Sequence, residues 1–112
     1  MRYALMIYTE PGYDERLSDV ERTAMLAEYS VLFDDDRCVG AARLQPAETA
    51  TGVRVDGGRT LMTDGPFADA KEVLGGFCLF DADDLDEAID LAARIPALRF
   101  GGTVEIRPVV QR

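Results

Sequence analysis

Residues 75–96, GGFCLFDADDLDEAIDLAARIP, contain the strand and helix that decide the fold. In residues 75–81, apolar side chains occupy both sets of alternating positions, so the segment is predicted to be a strand covered on both faces. Asp83 or Asp84 then caps a helix that continues to about Ile95. The residues of this helix predicted to face inward are Leu85, Ala88, Ile89, Ala92 and Ile95.

A strand and a helix of the same kind stand at the start of the chain. Residues 2–9, RYALMIYT, are again apolar on both faces. Ser18 precedes Glu21 by three residues, which is a capping-box pattern, and the helix that it opens is predicted to run to about Asp36. Gly40 is predicted to terminate it. The apolar stripe of this helix is predicted to contain Leu17, Val20, Ala24, Ala27 and Val31, with Met25 and Leu32 as further candidates.

The remaining segments complete a single α+β domain over residues 1–112. Strands are predicted at 39–44 and 103–110, and a hairpin at 51–63 turns at Asp56-Gly57-Gly58. The resulting order is that of a ferredoxin-like split βαβ fold with an inserted β-hairpin. Such a fold places both helices on one sheet face. Because two strands are apolar on both faces, we expect a homodimer in which a second sheet covers the open face.

Composition excludes several classes of function. The 112 residues contain 12 Lys plus Arg and 21 Asp plus Glu, and the net charge of −9 argues against nucleic acid or an anionic membrane as partner. There is no His, which excludes imidazole catalysis within one chain. Cys38 and Cys78 are too few for a zinc site, and they are predicted to be small hydrophobic residues. No segment is apolar enough to span a membrane, so a cytoplasmic protein is expected. No cofactor is expected either.

The turn Asp64-Gly65-Pro66-Phe67 is the first candidate site. The Asp64 carboxylate could accept backbone N–H bonds and lock the turn. Alternatively, Asp64 lies at the mouth of a cleft as a catalytic acid or base, with Phe67 as an apolar wall of a ligand site.

Four further residues are candidate ligand-binding residues. Lys71 either forms an exposed pair with Glu72 or points towards Asp64. Gly75-Gly76 indicates a bulge or a close backbone approach, and it could equally let a ligand lie against bare backbone. Arg43 is either an edge-strand charge or the anchor of a ligand carboxylate.

An acidic cluster follows the strand at 75–81. A calcium-binding loop that started at Asp81 would have Leu85 where a metal ligand is needed. It would also have Asp86 in place of the required glycine and Ala92 in place of the bidentate Glu. Helix capping and a solvated face therefore explain the cluster, which consists of Asp81, Asp83, Asp84 and Asp86.

These motifs together resemble a known family. The DGPF turn at 64–67, followed by KEVLGGF at 71–77, is similar to the signature of YCII-related domain proteins of the DGPF type. Further matching pieces are YALMIY at 3–8, LQP at 44–46, DDLDEA at 83–88 and VEIRPV at 104–109.

The resemblance implies a ferredoxin-like, dimeric α/β barrel. It also implies two functions, since one relative is a dehydrochlorinase acting on a chlorinated hydroxyquinol and DGPF members are often encoded beside extracytoplasmic-function sigma factors. The His-Asp pair proposed for smaller YCII proteins cannot be transferred to a chain without His, although Asp64 matches the signature.

Two hypotheses about the function follow. The first is a dimeric protein that binds a small molecule or acts as an accessory to a sigma factor. The alternative is a lyase or isomerase acting on a small aromatic substrate, with Asp64 as acid or base and with Lys71 or Arg43 holding an anion.

Overall fold

Six strands and two α-helices follow one another in the computed structural model, which describes residues 1–66 and 70–111. Short 3₁₀ turns at Tyr13–Arg16, Ala47–Thr49 and Pro96–Phe100 connect some of them. The elements are β1 (Arg2–Thr9), α1 (Asp19–Phe33), β2 (Cys38–Arg43), β3 (Thr51–Asp56), β4 (Arg59–Asp64), β5 (Val73–Asp81), α2 (Leu85–Ala92) and β6 (Thr103–Pro108).

Four strands form an open antiparallel sheet in the order β2-β5-β1-β6. This order, with both helices between strands, confirms the predicted α+β fold of ferredoxin-like type. Strands β3 and β4 form a separate two-stranded sheet, which we call the arm. Gly57 and Gly58 turn the arm with φ of 56° and 78°, as a two-residue hairpin turn requires.

Both helices pack on one face of the sheet. The buried side chains of β1 and β5 share this face and meet the buried side chains of α1 and α2. They are Tyr3, Leu5, Ile7, Cys78 and Phe80 from the sheet, and Met25, Tyr29, Leu32, Ala88, Leu91 and Ala92 from the helices. The opposite face carries Met6, Phe77 and Leu79, which are only half-buried. We call it the open face, and its cover by a second chain stays a prediction.

The capping of α1 is as predicted, and so is the burial of the two further candidates, Met25 and Leu32, but the predicted main stripe is wrong. Ser18 accepts a hydrogen bond from the Glu21 N–H at 3.1 Å, and Glu21 accepts one from the Ser18 N–H at 2.9 Å. Val20 and Val31, predicted to be inward, are 80% and 66% exposed. The buried stripe is instead Met25, Tyr29 and Leu32. Both stripes have helical spacing, and the one with larger side chains removes more apolar surface from water.

The end of α1 also differs from the prediction. The helix ends at Phe33 rather than near Asp36, with Asp34 as its C-cap. Asp35 then accepts a hydrogen bond from the Arg37 N–H at 2.9 Å, which turns the chain sharply into β2. Gly40 lies inside β2 and therefore does not terminate the helix.

Helix α2 is shorter than predicted. Asp84 caps it by accepting from the Glu87 N–H at 2.9 Å, and the helix ends at Ala92. Leu85 and Ile89 are 51% and 46% exposed, so their predicted inward positions are wrong. The inward residues are Ala88, Leu91, Ala92 and Ile95, and Ile95 stays buried just beyond the helix.

An ion-pair cluster joins the end of α1 to α2. The Arg37 guanidinium contacts Asp35 at 2.8 Å and Glu87 at 2.9 Å. Hydrogen bonding to Arg37 lowers the pKa of both carboxyl groups. No helix in the described part of the chain is both long and apolar enough to cross a membrane.

Candidate functional site

A cavity of about 480 Å³ opens on the helix-covered side of the sheet, where β2, β5 and β1 meet the loop after β1. Ile7, Tyr29 and Phe33 form part of its apolar wall. The rings of Tyr29 and Phe33 lie 5.5 Å apart between centroids. The chain after β2, including Pro46, closes another side.

Arg43 enters this cavity because of its register in the sheet. It pairs with Gly76, which in turn pairs with the buried Ile7, so all three lie on the same face of the sheet. Arg43 is solvent-exposed and lines the cavity. It forms no salt bridge with any residue in 1–66 or 70–111. Among the described residues that line the cavity, Arg43 supplies the one cationic group.

The two glycines at the start of β5 shape the floor of the cavity in different ways. A Cβ at Gly76 would lie 2.8 Å from the Ala42 carbonyl oxygen, so this glycine allows β2 to approach β5 closely. Gly75 lies at the bulge between the pairs Ile7–Gly76 and Tyr8–Leu74. A Cβ there would lie 3.5 Å from the Thr9 Oγ1, which is ordinary van der Waals contact. Close approach thus occurs at Gly76, and the bulge at Gly75.

Two tyrosines, Tyr13 and Tyr29, line the same cavity as Arg43. Burial raises the pKa of Tyr29 to about 12, although the positive charge of Arg43 acts in the opposite direction. Burial also raises the pKa of Tyr13, again with Arg43 opposing. The Tyr13 hydroxyl donates to the Met25 Sδ at 3.8 Å. Both phenols are therefore neutral at pH 7, and the Tyr13 proton is engaged with the Met25 Sδ, a weak acceptor.

Sequence reasoning singled out neither Tyr13 nor Tyr29 as a site residue. The signal for Tyr13 was available, because Pro11-Gly12 predicts a turn after β1. Gly12 adopts a φ of 78°, and the turn returns the chain over the sheet. The position of Tyr29 follows from the buried stripe of α1, which the sequence pattern did not decide.

Four carboxylates line the cavity together with Arg43. They belong to Glu10, Asp14, Glu15 and Glu48. All except the half-buried Asp14 are exposed. Glu10 forms an ion pair with Arg16 at 3.1 Å. The lining therefore combines one guanidinium and two phenols with four carboxylates.

The structure brings together only some of the residues predicted from sequence. Arg43, Gly75 and Gly76 line the cavity together. Asp64 is the exposed last residue of β4, where it pairs with Thr51, and it is not among the described lining residues. Phe67 lies outside the described residues.

Lys71 is exposed and is not among the described lining residues either. No ion pair joins Lys71 to Asp64 within the described part of the chain. The base of the arm is held by the Gly65 N–H, which donates to the Ala50 carbonyl at 2.7 Å.

The structure gives the remaining candidates structural roles; these are Cys78, Asp81 and Asp84. Burial raises the pKa of the Cys78 thiol to about 12, so it is no nucleophile at neutral pH. Asp81 pairs with Arg2 at 2.9 Å, and Asp84 caps α2. Among residues 1–66 and 70–111, no group of three or more Cys, Asp or Glu is arranged to hold a metal ion.

Comparisons with known proteins agree with the fold. The sequence profile of the YCII-related domain family matches residues 1–112. An uncharacterized protein of Rhizobium meliloti (strain 1021) is 33% identical over 114 residues, covering 97% of this chain and 92% of that protein. A similar solved structure is 5-chloro-2-hydroxyhydroquinone dehydrochlorinase (TftG) from Burkholderia phenoliruptrix AC1100 in complex with 2,5-dihydroxybenzoquinone. Its TM-score is 0.53 at 15% identity, with 100% of this chain and 96% of that chain covered.

Proposed function

Because the chain belongs to the YCII-related domain family, we propose that it binds a small aromatic molecule bearing oxygen substituents, in the cavity that Arg43 lines. The observation that carries this proposal is the placement of Arg43, Tyr13 and Tyr29 around one cavity with apolar walls. A volume of about 480 Å³ suits a ligand with one substituted ring.

Each group around the cavity has a distinct task in this proposal. The Arg43 guanidinium can form two parallel hydrogen bonds with a carboxylate or with adjacent ring oxygens. On binding, the Tyr13 hydroxyl would turn from the Met25 Sδ, a weak acceptor, to a further ligand oxygen. Tyr29 adds its ring to the apolar wall. The ring of Phe33 and the side chain of Ile7 exclude water from the flat faces of the ligand. Small-molecule binding also fits the TftG structure, whose bound compound is a hydroxylated quinone.

Titration calorimetry with 2,5-dihydroxybenzoquinone and 4-hydroxybenzoate tests this proposal. We expect Arg43→Gln to weaken binding by at least about tenfold, because a charge-assisted hydrogen bond contributes about 1.5–3 kcal/mol. Arg54→Gln, on the exposed arm, is the matched control and should leave the affinity unchanged. Equal affinities of wild type and Arg43→Gln would refute the role of Arg43.

An enzymatic alternative is a lyase of the dehydrochlorinase type, with Asp64 as acid or base. It is favoured by the position of Pro66 and Ala70, which line the cavity and follow Asp64 closely in the chain. In such a reaction the hydroxyquinol first tautomerises, so that a hydroxyl proton moves to the ring carbon that bears chlorine. The carboxylate would then accept the proton of a second hydroxyl group while the carbon–chlorine bond breaks, chloride leaves and a hydroxyquinone forms. Release of chloride from a chlorinated hydroxyquinol, abolished in Asp64→Asn but retained in Asp56→Asn, would establish this function.

We further propose that a second copy covers the open face. Met6, Phe77 and Leu79 give this face an apolar centre that the chain does not cover with its own helices. Light scattering should report a dimer, and Phe77→Glu should shift it to a monomer. Val20→Glu, on the solvent side of α1 at 80% exposure, is the control and should leave the dimer intact.

A sigma-factor partner is the remaining proposal, and it derives from the resemblance of the DGPF signature alone. Co-purification with a sigma factor encoded beside the gene tests it. A partner that binds equally well to Phe77→Glu and to wild type would contact a surface other than the open face.

A further inference from the structure

The arm exposes nearly all of its surface. Every residue of β3 and β4 except Gly52 is exposed. Within the described part of the chain, these two strands pack almost only on each other. An isolated two-stranded hairpin is at best marginally stable in water, so the arm needs a further surface to hold it in one conformation.

One face of the arm is apolar. Val53 pairs with Met62 and Val55 pairs with Thr60, and cross-strand partners lie on the same face of a sheet. The three apolar side chains Val53, Val55 and Met62 are 62%, 70% and 75% exposed. We call this side the apolar face of the arm.

The opposite face of the arm is mainly polar. It carries the pair Arg54 and Leu61 and the pair Asp56 and Arg59. A ribbon that is apolar on one side and polar on the other is typical of antiparallel strands that pack one face on another surface and leave the other face in water. The pattern therefore indicates that the apolar face of the arm is covered.

The chain does not cover this face with its own body. Its Cα radius of gyration is 15.8 Å, whereas about 13 Å is usual for a compact domain of this length. Its thinnest dimension is 20 Å, which one sheet and one layer of helices fill. The arm therefore extends sideways from the two layers instead of folding back over them.

We propose that the apolar face of the arm packs against a second copy of this chain. The arm follows β2, an edge strand of the sheet whose open face is the proposed dimer contact. Strands of six residues are about 20 Å long, and four paired strands are about 14 Å wide, so the arm is long enough to reach a copy seated on that face. The identity of the partner rests on the proposed dimer, whereas the contact itself is separate from the open face.

The distribution of charge favours the arm as a contact between two copies. The arm contains two of the 12 cationic and two of the 21 acidic residues, so it carries no net charge. The rest of the chain carries the whole net charge of −9, and two such bodies repel each other. The arm is thus a part of the chain that can approach a second copy without this repulsion.

The surface that a dimer must bury leads to the same partner. A stable interface buries about 800 Å² per partner. Met6, Phe77 and Leu79 at the centre of the open face are already half-buried by their own chain, which limits what they add. Twofold symmetry brings two arms into the dimer, and with them six exposed apolar side chains.

The variants Met62→Asp and Leu61→Asp test this proposal as a matched pair. The two residues are neighbours in β4 and lie on opposite faces of the arm, and each change adds one negative charge. The dimer dissociation constant is measured by sedimentation over a series of protein concentrations. Met62→Asp should raise it at least about a hundredfold, because a buried carboxylate weakens each of two symmetric contacts about tenfold. Leu61→Asp should change it less than about threefold.

Hydrogen exchange of the backbone amides in residues 51–64 gives a second measurement. These amides should exchange slowly above the dimer dissociation constant and rapidly below it, because the hairpin alone is marginally stable. Protection that does not depend on protein concentration would show that the arm is covered by its own chain, and it would overturn the proposal.

The outcomes separate the arm contact from the proposed contact at the open face. If Met62→Asp and Leu61→Asp have equal dissociation constants while Phe77→Glu is monomeric, the arm contact is wrong and the open-face dimer stands. If Met62→Asp weakens the dimer and Phe77→Glu does not, the arm contact is supported and the open-face contact is wrong. A wild-type chain that is monomeric at every concentration overturns both.

Discussion

Replacement of Gly76 by alanine is the sharpest test of how the sheet forms the site. A Cβ at this position would lie 2.8 Å from the Ala42 carbonyl oxygen and 3.6 Å from the Arg43 Cα. In the first of these contacts the new methyl group would clash with a backbone carbonyl oxygen, which cannot rotate away as a side chain could. Strand β2 must therefore move outward from β5, and Arg43 moves with it.

The expected cost follows from the kind of contact. Overpacking of one methyl group in a well-packed region costs about 1–3 kcal/mol. In a chain of this size each kcal/mol lowers the unfolding midpoint by about 4 °C. Gly76→Ala should thus lower the midpoint by about 4–12 °C in thermal unfolding followed by circular dichroism at fixed protein concentration.

The neighbouring glycine supplies the control. A Cβ at Gly75 would meet the Thr9 Oγ1 at 3.5 Å, which is ordinary contact, so Gly75→Ala should change stability by less than about 0.5 kcal/mol. Ligand affinity should fall more in Gly76→Ala than in Gly75→Ala, because only the former displaces Arg43. Equal stability of the two variants would refute the argument that backbone approach requires glycine at position 76.

Three further predictions concern the caps, the ion-pair cluster and the cavity. Asp84→Ala removes the side-chain cap of α2 and should cost about 1 kcal/mol in urea unfolding, whereas Asp86→Ala in the first turn of the helix should cost clearly less. Arg37 lowers the folded-state pKa of Asp35, so this contribution to stability is present above about pH 4 and is lost as the pH falls below the unfolded value. Asp35→Asn should therefore show a smaller loss of stability between about pH 5 and pH 2 than wild type, and an equal loss would contradict the assignment. Tyr29 should ionise at about pH 12, and Tyr29→Phe should remove that step from an ultraviolet titration.

The agreement between sequence and structure is best where the signal is local. The capping box at Ser18, the cap at Asp84 and the Gly57-Gly58 turn each depend on residues within a few positions of one another. Such signals place the elements and their order along the chain. Because the order of strands and helices strongly limits the topology, the ferredoxin-like arrangement could also be predicted.

The predictions from sequence are wrong where two sets of apolar residues fit the same helical spacing. In α1 an aliphatic stripe through Val20 and Val31 and a stripe through Met25, Tyr29 and Leu32 have the same helical spacing. The pattern cannot rank them, because their difference lies in how much surface each buries against the sheet.

The candidate site was only partly predictable for a related reason. Arg43 and the two glycines stand out in the sequence by residue type. Their alignment, however, depends on the pairing of Arg43 with Gly76 across β2 and β5. Tyr13 joins them only because the loop after β1 folds back over the sheet.

The sequence by itself determined the family, the order of the elements and their caps, because these depend on residue types and on short-range hydrogen bonds. Tertiary structure alone decided which stripe of α1 is buried and which residues line the cavity. The reason is that Arg43, Tyr13 and Tyr29 are far apart in the chain, and only strand register and packing bring their charge and hydroxyl groups together.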